Sequence, residues 1–294
     1  MNKPNLITAI VLHFRTPRKT IKCLNSIAKE KIEKIVIIDN SEDEGVSLSS
    51  VNTEIELLKS KGLNINILST GKNMGFAAGV NYGLSNIDED KTSYILLINS
   101  DAEFEENAIK NMLIKVRDYA YVYPLCKNDK GIFSLINYYQ KHLGLIIKKK
   151  KIGCIPYVTA CCLLIKKQVL KKYPLDEDFF FYGEDVFFSF LMEKISQHSF
   201  ECKNSIVMHE GSASAKNGSL FYEYHISKAH FILAKKLSKN MAEKIIFISI
   251  RMFILPLRAT IRSIRFHSLN PWKGLILAIF DLMTKKTRTM TPKF

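Results

Sequence analysis

The sequence predicts an α/β protein with a mostly parallel central sheet, followed by a basic helical extension. Three observations carry this. β-branched runs alternate with helical patterns through the first hundred residues, and the run Lys34-Ile-Val-Ile-Ile-Asp39 is continuously apolar, as a strand covered on both faces requires. The third is charge: the net charge is +15, and 13 Lys/Arg against 2 Asp/Glu fall from Lys235 onward.

Residues 6–14 form the first predicted strand, and Thr16-Pro17 opens a helix patterned by Ile21, Leu24, Ile27 and Ala28. The second strand, 34–39, ends on the turn residues Asp39-Asn40-Ser41. A helix near 55–61, a strand over 64–69, a glycine-punctuated helix over 74–84 and a strand over 93–98 complete a Rossmann-like set of four. Residues 124–155, with a lysine run at 148–151, read as a loop-rich insertion. A strand over 157–166, a helix over 184–194 and one or two short strands over 199–209 follow, and after a loop at 210–218 the pattern is helical almost to the end. The expected division is an α/β part over 1–218, with a first half to about 123 and a second half over 124–218, and a helical extension over 219–294.

A chain of 294 residues buries a full core without staples. Its six cysteines show neither CxxC spacing nor a disulfide-style pattern, which predicts free thiols and the cell interior. The amino terminus shows no signal-peptide pattern.

Ligands of parallel α/β sheets lie beyond the carboxyl ends of the strands. Those ends offer Asp39, then Asn73 with Gly75, then Asn99-Ser100-Asp101. A carboxylate at the second strand accepts hydrogen bonds from a ribose or a base, and one at the fourth holds a divalent cation against a diphosphate. Either is also an ordinary turn former. Gly75, Gly79 and Gly83 recur every fourth residue, which suits close helix-on-sheet packing and leaves Asn73 and Asn81 as the functional candidates there. Phe179-Phe-Phe-Tyr182 precede Glu184-Asp185 at a helix start. Those carboxylates suit the helix dipole, and one beside aromatic side chains also suits a general base, the rings forming an acceptor platform. His209 ends a strand, where it is either structural or a metal ligand.

In order and spacing, IVLHFRT, IIDNSED, NMGFAAGVNYG, ILLINSDAEFEENAI, TACCLLIKKQVL, LDEDFFFYGEDV and MHEGSAS resemble glycosyltransferase family 2, especially its rhamnosyltransferase-like branch. The resemblance covers about residues 6–214. It implies a GT-A fold, a nucleotide-diphosphate sugar donor and Mg²⁺ or Mn²⁺ as cofactor. Asp39, Asn73, Asn81, Asn99 and Asp101 would then bind the donor, Asp101 and His209 the metal, and Asp185 would be the base of an inverting transfer. The implied donor is dTDP-rhamnose, with a UDP-hexose or UDP-galactofuranose as the alternative, and the implied acceptor is a lipid-linked or saccharide chain of a cell-surface glycan. Phe14-Arg15 stands where the family has Tyr-Asn, Asn99 where it has Asp, and Phe187 where an acidic residue is frequent.

A sugar-phosphate nucleotidyltransferase would need a glycine-rich loop after the first strand, and His13-Phe-Arg-Thr-Pro17 has none. A nucleic-acid partner fits poorly, because the basic tail mixes its charges with aliphatic runs and lacks a stacking platform. An inactive sugar-binding homologue is disfavoured by the presence of Asp101, Asp185 and His209. In the tail, Arg251, Arg258, Arg262 and Arg265 fall in one helical sector beside an apolar one. This predicts peripheral attachment of residues 241–294 to an anionic membrane on its cytoplasmic side, or packing of the apolar face on the catalytic part.

Overall fold

The computed structural model describes residues 6–30, 32–87, 92–209 and 216–284. In chain order the elements are β1 (Ile7–His13), α1 (Pro17–Ala28), β2 (Lys34–Asp39), α2 (Val46–Ser49), α3 (Asn52–Ser60), β3 (Asn64–Ser69), α4 (Phe76–Ser85), β4 (Tyr94–Asn99), β5 (Ala102–Phe104), α5 (Ala108–Val116) and β6 (Tyr121–Asn128). Then come β7 (Gly131–Ser134), β8 (Ile136–Gln140), β9 (Leu145–Ile147), β10 (Cys154–Val158), β11 (Cys162–Lys166), α6 (Lys167–Lys172), α7 (Glu184–Lys194), β12 (Ser199–His209), α8 (Leu220–Lys236), α9 (Met241–Phe266) and α10 (Asn270–Thr284). Contacts divide the described residues into two compact units, one from within 6–135, 158–175 and 191–209, the other from 136–157, 176–190 and 216–284.

The first unit is built on a mixed sheet in the order β3-β2-β1-β4-β11-β6-β12-β5, with β7 on β6. Its first four strands are parallel, and the register sets His13 beside Asp39 and Leu12 beside Asn99. The strand ends therefore lie side by side, which gathers polar residues far apart in sequence. β1, β2 and β4 are buried almost throughout, as their unbroken apolar runs demand. α4 approaches the sheet through its glycines: a Cβ on Gly79 would meet Leu12 Cδ1 at 2.6 Å, and one on Gly83 would meet Ile38 Cδ1 at 2.9 Å. The glycine stripe is a packing device.

Two expectations about the middle of the chain need correction. Residues 124–155 are not loop-rich: they hold the end of β6, then β7, β8, β9 and the start of β10. These strands are three to five residues long, too short for an alternating pattern to stand out. The apolar run 157–166 is likewise two elements, since β10 ends at Val158 in a three-stranded β10-β8-β9 sheet and β11 runs antiparallel to β4.

That small sheet and helices α8 to α10 form the second unit. Tyr139, Tyr157, Phe179, Val186, Ile232 and Leu233 share its core. Glu223 on α8, fully buried, receives hydrogen bonds from Arg258 and Arg262 of α9 at 2.5 to 3.2 Å. Asp281 of α10, also buried, accepts one from the Tyr224 hydroxyl. Arg251, wholly buried, donates to the carbonyls of Lys141 and His142 and so clamps the β8–β9 turn. The expected arginine sector of α9 is thus not a free basic face: three of its four members turn inward, because buried carbonyl and carboxylate groups demand donors. No described helix is long and apolar enough to cross a membrane.

Candidate functional site

In the first unit the end of β2 turns sharply. Asp39 is buried, its Oδ1 accepts the Ser41 N–H at 3.1 Å, and the Asn40 N–H donates to the His13 carbonyl. Asn40 is the hub of this region. Its Nδ2 donates to Asn73 Oδ1 and to the Gly75 carbonyl, while its Oδ1 accepts the Met74 N–H and the Thr70 hydroxyl. Asn73 Oδ1 also takes the Gly75 N–H, where Gly75 adopts φ 81°, ψ −178°, a conformation open in practice only to glycine. Sequence reading treated Asn40 as a turn residue, and only the meeting of β2 with the loop before α4 shows its task.

Arg15 adopts φ 51° and folds back on the same turn, its Nε donating to the Ser41 carbonyl at 2.6 Å and its Nη2 to the Glu42 carbonyl. His13 is kept neutral by burial and bridges Thr20 and Ser47. Asn81, a donor-binding candidate from the sequence, clasps the backbone of Leu175 through its amide, donating to the carbonyl at 2.8 Å and accepting the N–H at 3.2 Å.

At the end of β4, Asn99 donates its N–H to the Cys161 carbonyl, and Ser100 lies beside Thr16. β12 runs antiparallel to β5 with His209 opposite Ala102, which brings His209 Nε2 within 3.1 Å of Asp101 Oδ1. Burial disfavours the charged ring, but Asp101 and the Cys126 thiol outweigh it and lift His209 to about 9. Among the described residues no group of three or more metal-ligating side chains occurs. Asp101 Oδ1 and His209 Nε2, 3.1 Å apart, are an oxygen and an imidazole donor of a kind that suits Mn²⁺ better than Mg²⁺ once the ring gives up its proton, with the other positions left to water and substrate oxygens. The segment Glu210-Gly-Ser-Ala-Ser214, which follows His209 in sequence, lies outside the described residues.

The second unit holds the Glu184–Asp185 pair. Tyr182 and Gly183 adopt φ 64° and 101°, a paired left-handed turn that starts α7 abruptly. A Cβ on Gly183 would lie 2.6 Å from Phe179 Cδ1, so only glycine fits. Both carboxylates are buried. Burial raises both, and the Asp185 charge raises Glu184 further, whereas Asp185 is held down by backbone N–H groups, including that of Val186 at 2.8 Å. Glu184 Oε2 has no hydrogen-bond partner among the described residues. The pair therefore shares charge unequally: the proton resides on Glu184 before it resides on Asp185. Tyr157, raised by burial and then by Asp185, stays protonated nearby. In the same unit Phe180 stacks on His225 at 4.6 Å, and Phe221 and Phe181 meet this pair edge-on or tilted, with ring centroids 4.6 to 6.4 Å apart.

A parallel half-sheet ending on Asp39 and Asp101, with an antiparallel strand returning an imidazole to the second carboxylate, has the architecture of a GT-A glycosyltransferase, and that is the class of this enzyme. The chain belongs to the family described as Glycosyl transferase family 2, which it matches over residues 8–174. No curated protein matches it by sequence. Its fold is similar to that of the mannosyltransferase PcManGT from Pyrobaculum calidifontis, in complex with GDP-Man and Mn²⁺, at 12% identity and a TM-score of 0.58, covering 98% of this chain and 89% of that one. It is also similar to S. aureus TarS in complex with UDP-GlcNAc (14%, TM-score 0.54, 95% and 81%). GalNAc-T7 with UDP, GalNAc and Mn²⁺ is a further match (12%, TM-score 0.58), in which this chain covers 90% of itself and 58% of the other.

Proposed function

We propose that the protein is an inverting, metal-dependent glycosyltransferase that moves rhamnose from dTDP-rhamnose to a lipid-linked or saccharide acceptor of a cell-surface glycan, attached peripherally to the cytoplasmic face of a membrane through residues 241–294. The observation that carries the reading is the 3.1 Å approach of His209 to Asp101 across 108 residues of sequence. Nothing in the fold of β12 requires a half-buried imidazole beside a strand-end carboxylate, and a diphosphate-bound cation gives both a purpose.

Asp39 and the Asn40-ordered turn would receive the base and ribose, with Asn73 and Asn99 shaping the walls, and Asp101 and His209 would hold the divalent ion. When bound, the ion offsets the negative charge that develops on the leaving diphosphate. Asp185 takes the proton of the acceptor hydroxyl as its oxygen bonds to the anomeric carbon and the bond to diphosphate breaks on the opposite face, which inverts the centre. Protonated Glu184 beside it leaves Asp185 as the ionised partner at neutral pH. The motif order shared with rhamnosyltransferase-like members supports rhamnose, and UDP-hexoses and UDP-galactofuranose are the alternatives. Two proteins of similar fold hold GDP-Man and UDP-GlcNAc, which supports a nucleotide-sugar donor in general.

The test is a donor panel with Mn²⁺ read by thermal shift, followed by NMR of the product. Stabilisation by dTDP-rhamnose above the UDP- and GDP-sugars is expected, with inversion at the anomeric carbon. A retained configuration would refute the mechanism, and stabilisation by a UDP-sugar alone would replace the donor.

A further inference from the structure

Three of the four arginines of α9 turn inward, and most of what the helix shows to solvent between Lys244 and Arg265 is apolar, with Ser249 and Thr260 as uncharged members. Ile245, Phe253, Leu257, Ile261 and Ile264 are all more than half exposed, with Phe253 at 78% and Ile264 at 69%. Spaced at three, four and eight residues, they fall along one side of the helix. Between Lys244 and Arg265 the charged side chains are Arg251, Arg258 and Arg262, and each is engaged internally. The result is a stripe about 30 Å long with no outward charge. Exposed apolar surface of this extent marks a docking surface.

The charges around the stripe indicate what it meets. Of the two acidic residues in 241–284, Glu243 is paired with Lys141 and Asp281 is buried against Tyr224. Arg265 and Lys273 are exposed. In the same unit the exposed run Lys148–Lys151 adjoins Ile152, which is 96% exposed. A second copy of the chain would bring these like charges towards one another. A lipid surface offers the complement, phosphate for the exposed cations of this unit and acyl chains for the stripe.

We propose that α9 is a bilayer-docking helix whose exposed apolar side, centred on Phe253 and Leu257, enters the boundary between headgroups and acyl chains, so that apolar burial rather than arginine–phosphate attraction carries most of the attachment. This rests on the peripheral-membrane reading above and replaces its charged face with an apolar one. Binding should then extend to neutral lipid and persist in salt.

The experiment uses the full chain with Phe253→Trp, its fluorescence taken relative to the parent, and vesicles of pure phosphatidylcholine or of phosphatidylcholine with phosphatidylglycerol. A blue shift and quenching by brominated acyl chains are expected with both vesicles, and at about 1 M salt, where the screening length is about 3 Å. The double variant Phe253→Ser/Leu257→Ser, which alters only exposed side chains, should sediment with vesicles at least roughly tenfold more weakly at an unchanged melting temperature. Three other results overturn the proposal in distinguishable ways. Absence of binding to either vesicle removes the membrane reading with it. Binding confined to phosphatidylglycerol vesicles, lost in salt and indifferent to the double variant, keeps the membrane reading and refutes the apolar mode. A Trp shift that grows with protein concentration without vesicles, alongside a dimer mass in light scattering, would assign the stripe to a second copy.

Discussion

Glu223 and the Glu184–Asp185 pair are buried to similar depth in the same unit, yet their surroundings are opposite. Glu223 is met by two guanidinium groups, one of them contacting both carboxylate oxygens. Glu184 and Asp185 have no basic partner within ion-pair distance among the described residues, and one oxygen of Glu184 has no hydrogen bond at all. A compensated buried carboxylate holds helices together, whereas an uncompensated one costs stability and persists where proton transfer needs it. The Asp101–His209 pair is intermediate, a carboxylate whose partner is itself a metal ligand by chemistry.

The sharpest way to break this comparison is to neutralise each carboxylate. Asp185→Asn should lower the transfer rate by about a hundredfold to ten-thousandfold while donor affinity, measured by calorimetry, stays near that of the parent. The same variant should melt at a higher temperature at neutral pH, since it removes a charge that the fold disfavours. Glu223→Ala should do the reverse, destabilising by about 3–5 kcal/mol in denaturant titration because it strands two guanidinium groups. If both variants lost stability alike, the distinction would fail.

Asp101→Ala should abolish the extra thermal stabilisation that Mn²⁺ confers in the presence of donor, an effect of about 3 kcal/mol at a hundredfold excess over Kd, read separately from the lower melting temperature that loss of the His209 contact brings to the free protein. A parent-like Mn²⁺ response in this variant would separate Asp101 from the cation.

The pH dependence follows from the direction of the Asp185 shift. Its folded pKa lies above the ordinary carboxylate value, so its contribution to stability is complete at low pH and is lost as pH rises through the raised value. Activity should run the opposite way, rising with pH over that same interval as the base ionises. kcat/KM and melting temperature recorded on one pH series should therefore cross. The smallest effect is expected for Glu184→Gln, which keeps a neutral group in place of one already protonated and should cost less than about tenfold in rate, against the general-base loss at Asp185.

Much of this was legible in the residues. The runs of β1, β2, β3 and β4 and the helix beginning at Glu184 follow from periodicity and turn chemistry, which act over neighbouring residues. The carboxylates at strand ends were visible for the same reason. Asn40 was not, because an asparagine in a turn looks the same whether it satisfies its own turn or a loop more than thirty residues away. The 124–155 segment misled because its strands are short and draw their order from a neighbouring sheet rather than from their own pattern.

What the sequence by itself determined is the order of elements, the strand-end carboxylates and the family to which they belong. Tertiary structure decided which carboxylates are compensated, that His209 meets Asp101, and that α9 buries its arginines and shows its isoleucines. A helical projection sorts side chains into faces, but it cannot say which face is turned inward. That choice went to the arginines because Glu223 and the carbonyls of the β8–β9 turn, once buried, need donors more than the core needs another aliphatic side chain.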